Sequence, residues 1–167
     1  MPRIKKPLPI DQLSELFYCD YDSGILRWKN PPGPRVAVGD VVYAKPSSSG
    51  YLSIETFAVT GRRERYLVHR VLWSLYHGED LGNAEIDHID GDKTNNSIYN
   101  LRLATPSQNQ YNRKQKGFYW HKNDKKWRAC INIDGVRTVI GSYTCPLLAR
   151  LAYVDKSKEI AGAFSPY

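Results

Sequence analysis

The spacing of hydrophobic and polar positions changes several times along the chain, and each change predicts an element. Helical spacing predicts a short helix over residues 10–17, with extended pieces following at 24–28 and 41–43. Asp22-Ser23-Gly24, Asn30-Pro31-Pro32-Gly33-Pro34 and Ser47-Ser48-Ser49-Gly50 break the chain between them. Tyr51, Ser53, Glu55 and Phe57 alternate with Leu52, Ile54, Thr56 and Ala58 up to Thr60-Gly61, and residues 64–68 return, which predicts a hairpin. The period then becomes helical over 69–77, where Val71, Leu72, Leu75 and Tyr76 share a face and Gly78 suits the position past the helix end. Strands are predicted at 84–89 and 100–104, flanking the polar run 90–97. Thr105 as N-cap and Pro106 at the first helical position open a helix over 107–114.

After Lys116 the pattern restarts with strands at 118–121, 127–133 and 136–143. Asp134-Gly135 joins the last two, a pair suited to the two positive φ angles of a type I′ turn. Alternation sets Trp127, Ala129, Ile131 and Ile133 against Arg128, Cys130 and Asn132 on the opposite face. Thr144 caps a last helix with Pro146 in its first turn, Leu148, Leu151 and Ala152 on one face, and Gly162 near its end. The fold class is α+β, and the chain divides into an N-terminal accessory region, 1–50, a central core, 51–116, and a small sheet-and-helix lobe, 117–167.

An apolar fraction of 41% is ordinary for a globular chain, and no apolar run reaches the length of a membrane span. The first residues, MPRIKKPLPIDQ, lack the apolar stretch of a secretory signal, so a cytoplasmic location with no membrane partner is expected. Cys19, Cys130 and Cys145 form no CxxC pair and read as reduced, structural thiols. The net charge of +7 is unevenly placed: residues 1–104 carry 13 Lys and Arg against 13 Asp and Glu, and residues 105–167 carry 11 against 4. That asymmetry suits a polyanion held by the C-terminal part.

The chemistry concentrates in residues 85–109. An acid adjacent to a histidine, Asp87-His88, stands at a predicted strand end, ahead of a polar loop and of Asn100 and Asn109 on the returning strand and helix. Hard oxygen donors beside a base near neutral pH suit a divalent ion and proton transfer. For any one of these residues, satisfying a loop backbone group is the plainer role; their order and spacing favour chemistry. EF-hand spacing is absent.

The stretch DHIDGDKTNNSIYNLRLATPSQNQYN resembles the ββα-metal core of HNH nucleases, in the branch common among phage and homing endonucleases. The resemblance implies a DNA endonuclease in which His88 is the general base, Asp87 the metal ligand before it, Asn100 the central asparagine that pins the loop, and Asn109 the second metal ligand, where many relatives have histidine. Oxygen ligation implies Mg²⁺ or Mn²⁺. No Lys or Arg occupies the motif's metal-ligating positions, so charge neutralisation is left to the ion. Adjacent strand residues face opposite ways, so the strand is expected to end or twist at Asp87-His88, with Gly91 supplying unusual backbone in the loop beyond. Tyr66-Leu67-Val68-His69-Arg70 resembles the family's lead-in; Arg70 is a candidate phosphate contact, and His69, like His77, a packing histidine.

The segment GFYWHKNDKKWRACINIDGVRTVIGSY, with the helix after it, resembles the Apetala/ethylene-response-factor DNA-binding domain. The resemblance implies a three-stranded sheet lying in the major groove, with Tyr119, His121, Arg128, Asn132 and Arg137 facing DNA. A single ββα-metal motif and the lack of a heptad seam favour a monomer that nicks one strand, with a homodimer as the alternative. The rival function is a DNA-binding regulator with a decayed nuclease core.

Overall fold

The computed structural model describes residues 9–57, 61–82 and 84–167. The first eight residues lie outside these, as do Ala58 to Thr60, the end of the first predicted hairpin strand and part of its turn. The chain separates into two compact units, Met1–Ala104 and Thr105–Tyr167. The fold is mixed α and β.

The first unit runs α1 (Ile10–Leu16), β1 (Phe17–Asp20), β2 (Ile25–Trp28), β3 (Lys45–Pro46), β4 (Leu52–Thr56), β5 (Glu64–Leu67), α2 (Val68–His77), β6 (Glu85–His88) and β7 (Leu101–Ala104). Three antiparallel pieces result: the hairpin β1-β2, the sheet β3-β4-β5 and the ribbon β6-β7. The predicted first helix stops at Leu16, because Phe17 enters a strand opposite Trp28, with ring centroids 5.0 Å apart. The predicted strand at 41–43 is reduced to one bridge, Arg27 to Val41.

Leu13, Phe17, Leu26, Trp28 and Val42 pack with Ile54, Tyr66, Val68, Val71 and Leu72 in one core, so the segment from α1 to Val42 and α2 bury their apolar sides together. Fully burying a side chain such as Leu72 or Ile54 contributes about 2 kcal/mol. α2 closes at Gly78 with φ of 70°, in the left-handed region. A smaller cluster of Trp73, Ile86, Ile98 and Leu101 fastens the β6-β7 ribbon to α2, with Tyr21 from the first hairpin packed against it.

The second unit contains α3 (Pro106–Tyr111), β8 (Phe118–His121), β9 (Lys126–Ile133), β10 (Val136–Tyr143) and α4 (Pro146–Ala161). Thr105 and Gln108 form a reciprocal cap at the start of α3. The sheet order is β10-β9-β8, and the turn between the last two strands has φ of 49° at Asp134 and 84° at Gly135. α4 departs from expectation in two ways. Its N-cap is Cys145, with no side-chain cap from Thr144, and its buried face is Ala149, Tyr153, Ser157 and Ala161, whereas Leu148 and Leu151 are exposed. The reason lies in the residue just before β8: a Cβ on Gly117 would lie 2.1 Å from the Tyr153 ring. The ring rests directly on that glycine's backbone, and small residues at 149, 157 and 161 let the helix axis approach. Ala129 and Ile131 are buried as the alternation predicts, but Cys130 on the other parity is buried as well.

Candidate active site

β6 ends at His88, and Asp87 and His88 keep regular pairing to its last residue, opposite Arg102 and Leu101 respectively. The expected strand end falls at His88 itself, and neighbouring residues of a strand point to opposite faces. Their surroundings differ accordingly. Asp87 is buried, and its Oδ2 accepts hydrogen bonds from Arg102 Nε at 2.8 Å and Nη2 at 2.7 Å. Arg102 thus brings a guanidinium to the candidate metal carboxylate from the facing strand, a charge that inspection of the ligating positions alone does not reveal.

His88 is also buried, at 3% exposure, among rings. The His69 ring lies 5.1 Å away edge-on and the Tyr51 ring 5.7 Å away, with Tyr51 and His69 4.9 Å from each other. Lys93 Nζ sits 4.6 Å over Tyr51 and donates to Ser49 O at 2.7 Å, tying the polar loop to the chain ahead of β4. His88 Nε2 and Asn96 Oδ1 are 3.0 Å apart, and Asn96 is 1% exposed.

The loop from Ile89 to Ser97 is held from within. Gly91 has φ of 78° and donates its N–H to His88 O at 2.9 Å. Asn100 Nδ2 donates to Asp90 Oδ1 at 2.9 Å and to Asn95 O at 2.8 Å, and Asp90 N–H donates back to Asn100 Oδ1 at 3.1 Å. Asn95 Nδ2 and Asp92 N–H also donate to the Asp90 carboxylate. Burial raises the Asp90 pKa, but these hydrogen bonds outweigh it and leave the carboxyl below its ordinary value. Asp92 is lowered too, by the Thr94 hydroxyl and N–H.

Arg70, a candidate phosphate contact by sequence, is engaged elsewhere. Its guanidinium is buried and donates to Ala84 O and Gly82 O at 2.8 Å each, so it pins the segment between α2 and β6 and does not present itself to a phosphate. Burial pulls its pKa down from the usual arginine value, against an upward push from Asp80.

Asn109 is half-buried on α3, in the second unit. In that unit, strand register puts Tyr119 opposite Arg128 and Arg137 opposite Asn132, so these four and His121 project from one face of the sheet. Arg137 stacks over the Tyr119 ring at 4.8 Å, and a cleft of about 250 Å³ opens between Tyr119, Cys130, Asn132 and Arg137. Arg128 and His121 both pair with Asp124, whose carboxyl the Arg128 guanidinium holds below the usual range.

Residues 66–111 match the family described as HNH endonuclease. A curated relative, Protein 3.8 of Escherichia phage T7, is 31% identical over 108 residues, covering 59% of this chain and 88% of the relative. The chain belongs to the HNH endonuclease family. The relative named "Uncharacterized HNH endonuclease L560" of Acanthamoeba polyphaga mimivirus is 28% identical over 120 residues, covering 69% of this chain and 64% of the relative. The solved structure titled "DNA binding and cleavage by the HNH homing endonuclease I-HmuI" aligns at a TM-score of 0.48 and 19% identity, covering 93% of this chain and 82% of that one. In this HNH endonuclease the matched stretch contains α2, the β6-β7 ribbon and α3, and therefore Asp87, His88, Asn100 and Asn109. His69 packs on His88, in keeping with the packing role read for it, whereas Tyr51, Asn96 and Arg102 escape sequence reasoning. Only Arg102 carries a usable signal, since pairing the two predicted strands in register places it opposite Asp87.

Proposed function

We propose that this HNH endonuclease is a metal-dependent DNA endonuclease that hydrolyses phosphodiester bonds by nicking, leaving 5′-phosphate and 3′-hydroxyl ends. The observation that carries the reading is the adjacent pair of buried ionisable side chains at the end of β6, each with its own dedicated partner, inside the stretch that matches the family.

His88 is the general base. It takes the proton of a water aligned with the scissile phosphorus, and burial among Tyr51 and His69 keeps bulk water from competing. The Asp87 carboxylate is the hard oxygen ligand. A carboxylate is a hard oxygen donor of the kind a divalent ion takes, and Arg102 holds its Oδ2 and so sets its orientation. Asn109 as a second ligand rests on the sequence motif. The Asp87 carboxylate and the Asn109 carboxamide are hard oxygen donors, and such donors suit Mg²⁺ or Mn²⁺ completed by water and phosphate. When bound, such an ion supplies charge stabilisation to the phosphorane and the leaving 3′ oxygen. The outer sheet face bearing Tyr119, His121, Arg128, Asn132 and Arg137 is the proposed DNA-binding surface, supported by the basic excess of residues 105–167 and by the Apetala/ethylene-response-factor resemblance.

Supercoiled plasmid incubated with Mg²⁺ is expected to relax, and EDTA to prevent it. His88→Ala should abolish cleavage and leave DNA affinity nearly intact, because proton transfer contributes on the order of 100-fold or more to rate and little to binding. Cleavage by His88→Ala within a few-fold of the parent protein removes His88 from the mechanism.

A further inference from the structure

Asn96, outside the motif's named positions, brings a polar group within hydrogen-bond range of the proposed base. It is 1% exposed, comes from a loop with few apolar residues, and places Oδ1 3.0 Å from His88 Nε2. Its Nδ2 has no hydrogen-bond partner among the described residues. Burying an amide with half its capacity unused is costly, and such a cost is tolerated where the other half has work to do.

What keeps Asn96 in place is the first hairpin of the chain. Gly24, in the turn between β1 and β2, has φ of 69°, and a Cβ there would lie 2.3 Å from Asn96 C, 2.5 Å from Ser97 N and 2.7 Å from Asn96 O. All of these are backbone atoms, so the loop cannot yield by turning a side chain. Beside that contact, Ile98 N–H donates to Tyr21 O at 2.9 Å, and Tyr21 packs on the cluster beneath β6 and β7. The hairpin backbone therefore bears directly on the loop residue that meets the imidazole.

We propose that Asn96 is a positioning residue that orients and tautomerically selects His88, and that the Gly24 turn braces it from behind. Oδ1 accepts a hydrogen bond from Nε2–H, which places the ring's lone pair on Nδ1, the nitrogen that takes the proton from water. The proposal rests on His88 acting as base. It adds that the N-terminal hairpin is part of the catalytic apparatus.

The test combines nuclear magnetic resonance of protein labelled with ¹⁵N at histidine and single-turnover plasmid cleavage of the full chain with Mg²⁺. In the parent protein, the neutral His88 ring should show a slowly exchanging proton on Nε2. Asn96→Ala should lose that proton and cleave about 100-fold more slowly, the loss typical of a misplaced catalytic group, with unchanged DNA affinity. Asn96→Asp, which keeps an acceptor oxygen, should retain the proton and most of the rate. Gly24→Ala, which leaves every polar group in place, should reproduce the rate loss at unchanged affinity. A ring proton found on Nδ1 in the parent protein overturns the proposal, as does parental cleavage by Asn96→Ala. If Asn96→Ala does not fold, the parent spectrum and Gly24→Ala still decide. Failure of the underlying reading looks different: His88→Ala would then cleave normally while the Nε2 proton persisted in the parent.

Discussion

At the residue scale, Arg102 and Asp87 carry opposite charges in a setting where neither can be removed cheaply. The Asp87 side chain is 5% exposed and that of Arg102 17%. Losing one partner of such a buried pair leaves the other charge desolvated and costs about 3 kcal/mol or more. Arg102→Met should therefore lower Tm markedly without divalent ion, and Mg²⁺ should restore more of it than it adds to the parent protein, because a cation again faces the carboxylate. Asp87→Asn combined with Arg102→Met should recover much of the loss. A Tm for Arg102→Met equal to that of the parent would show that the pair contributes nothing. Cys19 belongs to the inert residues: burial pushes its thiol up to about 11, away from thiolate chemistry.

At the element scale, residues 89–97 of the loop between β6 and β7 put no side chain into either apolar cluster, and much of their hydrogen bonding runs to the Asp90 and Asp92 carboxylates. Asp90 and Asp92 both have folded-state pKa values below their ordinary ones. A depressed carboxyl stabilises the folded loop above its unfolded pKa, about 3.9. That contribution is lost as pH falls through the lower folded value. Amide protection factors over residues 90–97 are thus expected to hold from neutrality to about pH 4 and to collapse below, while those in β4 and α2 persist. Asp90→Asn should flatten that acid limb. Protection that is independent of pH from 6 to about 2.5 would mean that the carboxylates are not what holds the loop. The helix α4 shows the opposite balance. Its leucines suggest a buried stripe, but a tyrosine ring resting on a glycine and three small residues on one face decide which side turns inward.

At the scale of the whole molecule, charge is divided between the two units. Residues 1–104 are balanced, and 105–167 hold 11 basic residues against 4 acidic ones. On the sheet face of the second unit, Arg137 and Arg128 are the guanidinium groups aimed outward. Replacing both with Gln is expected to weaken DNA binding and to reduce the slope of log K against log salt by about 0.9 for each phosphate no longer neutralised. Arg128 should matter less, since Asp124 already engages it. A slope unchanged by both substitutions would assign the face a structural role. With the parent protein, supercoiled plasmid should pass first to open circle. Linear product from the outset, at a rate rising with the square of dilute enzyme, would establish a cutting dimer instead.

Some of this protein is legible in its sequence because the signals are local. Asp134-Gly135 announces its turn through the φ angles it tolerates, Thr105-Pro106 announces α3, and the ordered run from Asp87 to Asn109 carries its family resemblance without any coordinates. The brief strand β1 is hidden because Phe17 continues a helical apolar pattern, and its pairing with Trp28 is a contact between segments. The same distinction governs the site. Which residues could do the chemistry follows from their side chains and spacing. Their partners are another matter: Arg102 on Asp87, and Asn96, His69 and Tyr51 around His88, with Gly24 behind the loop. These contacts join parts of the chain that carry no common periodicity. They arise only when the N-terminal hairpin, α2 and the β6-β7 ribbon bury their apolar faces in shared clusters, because burial brings polar groups together that must then satisfy one another.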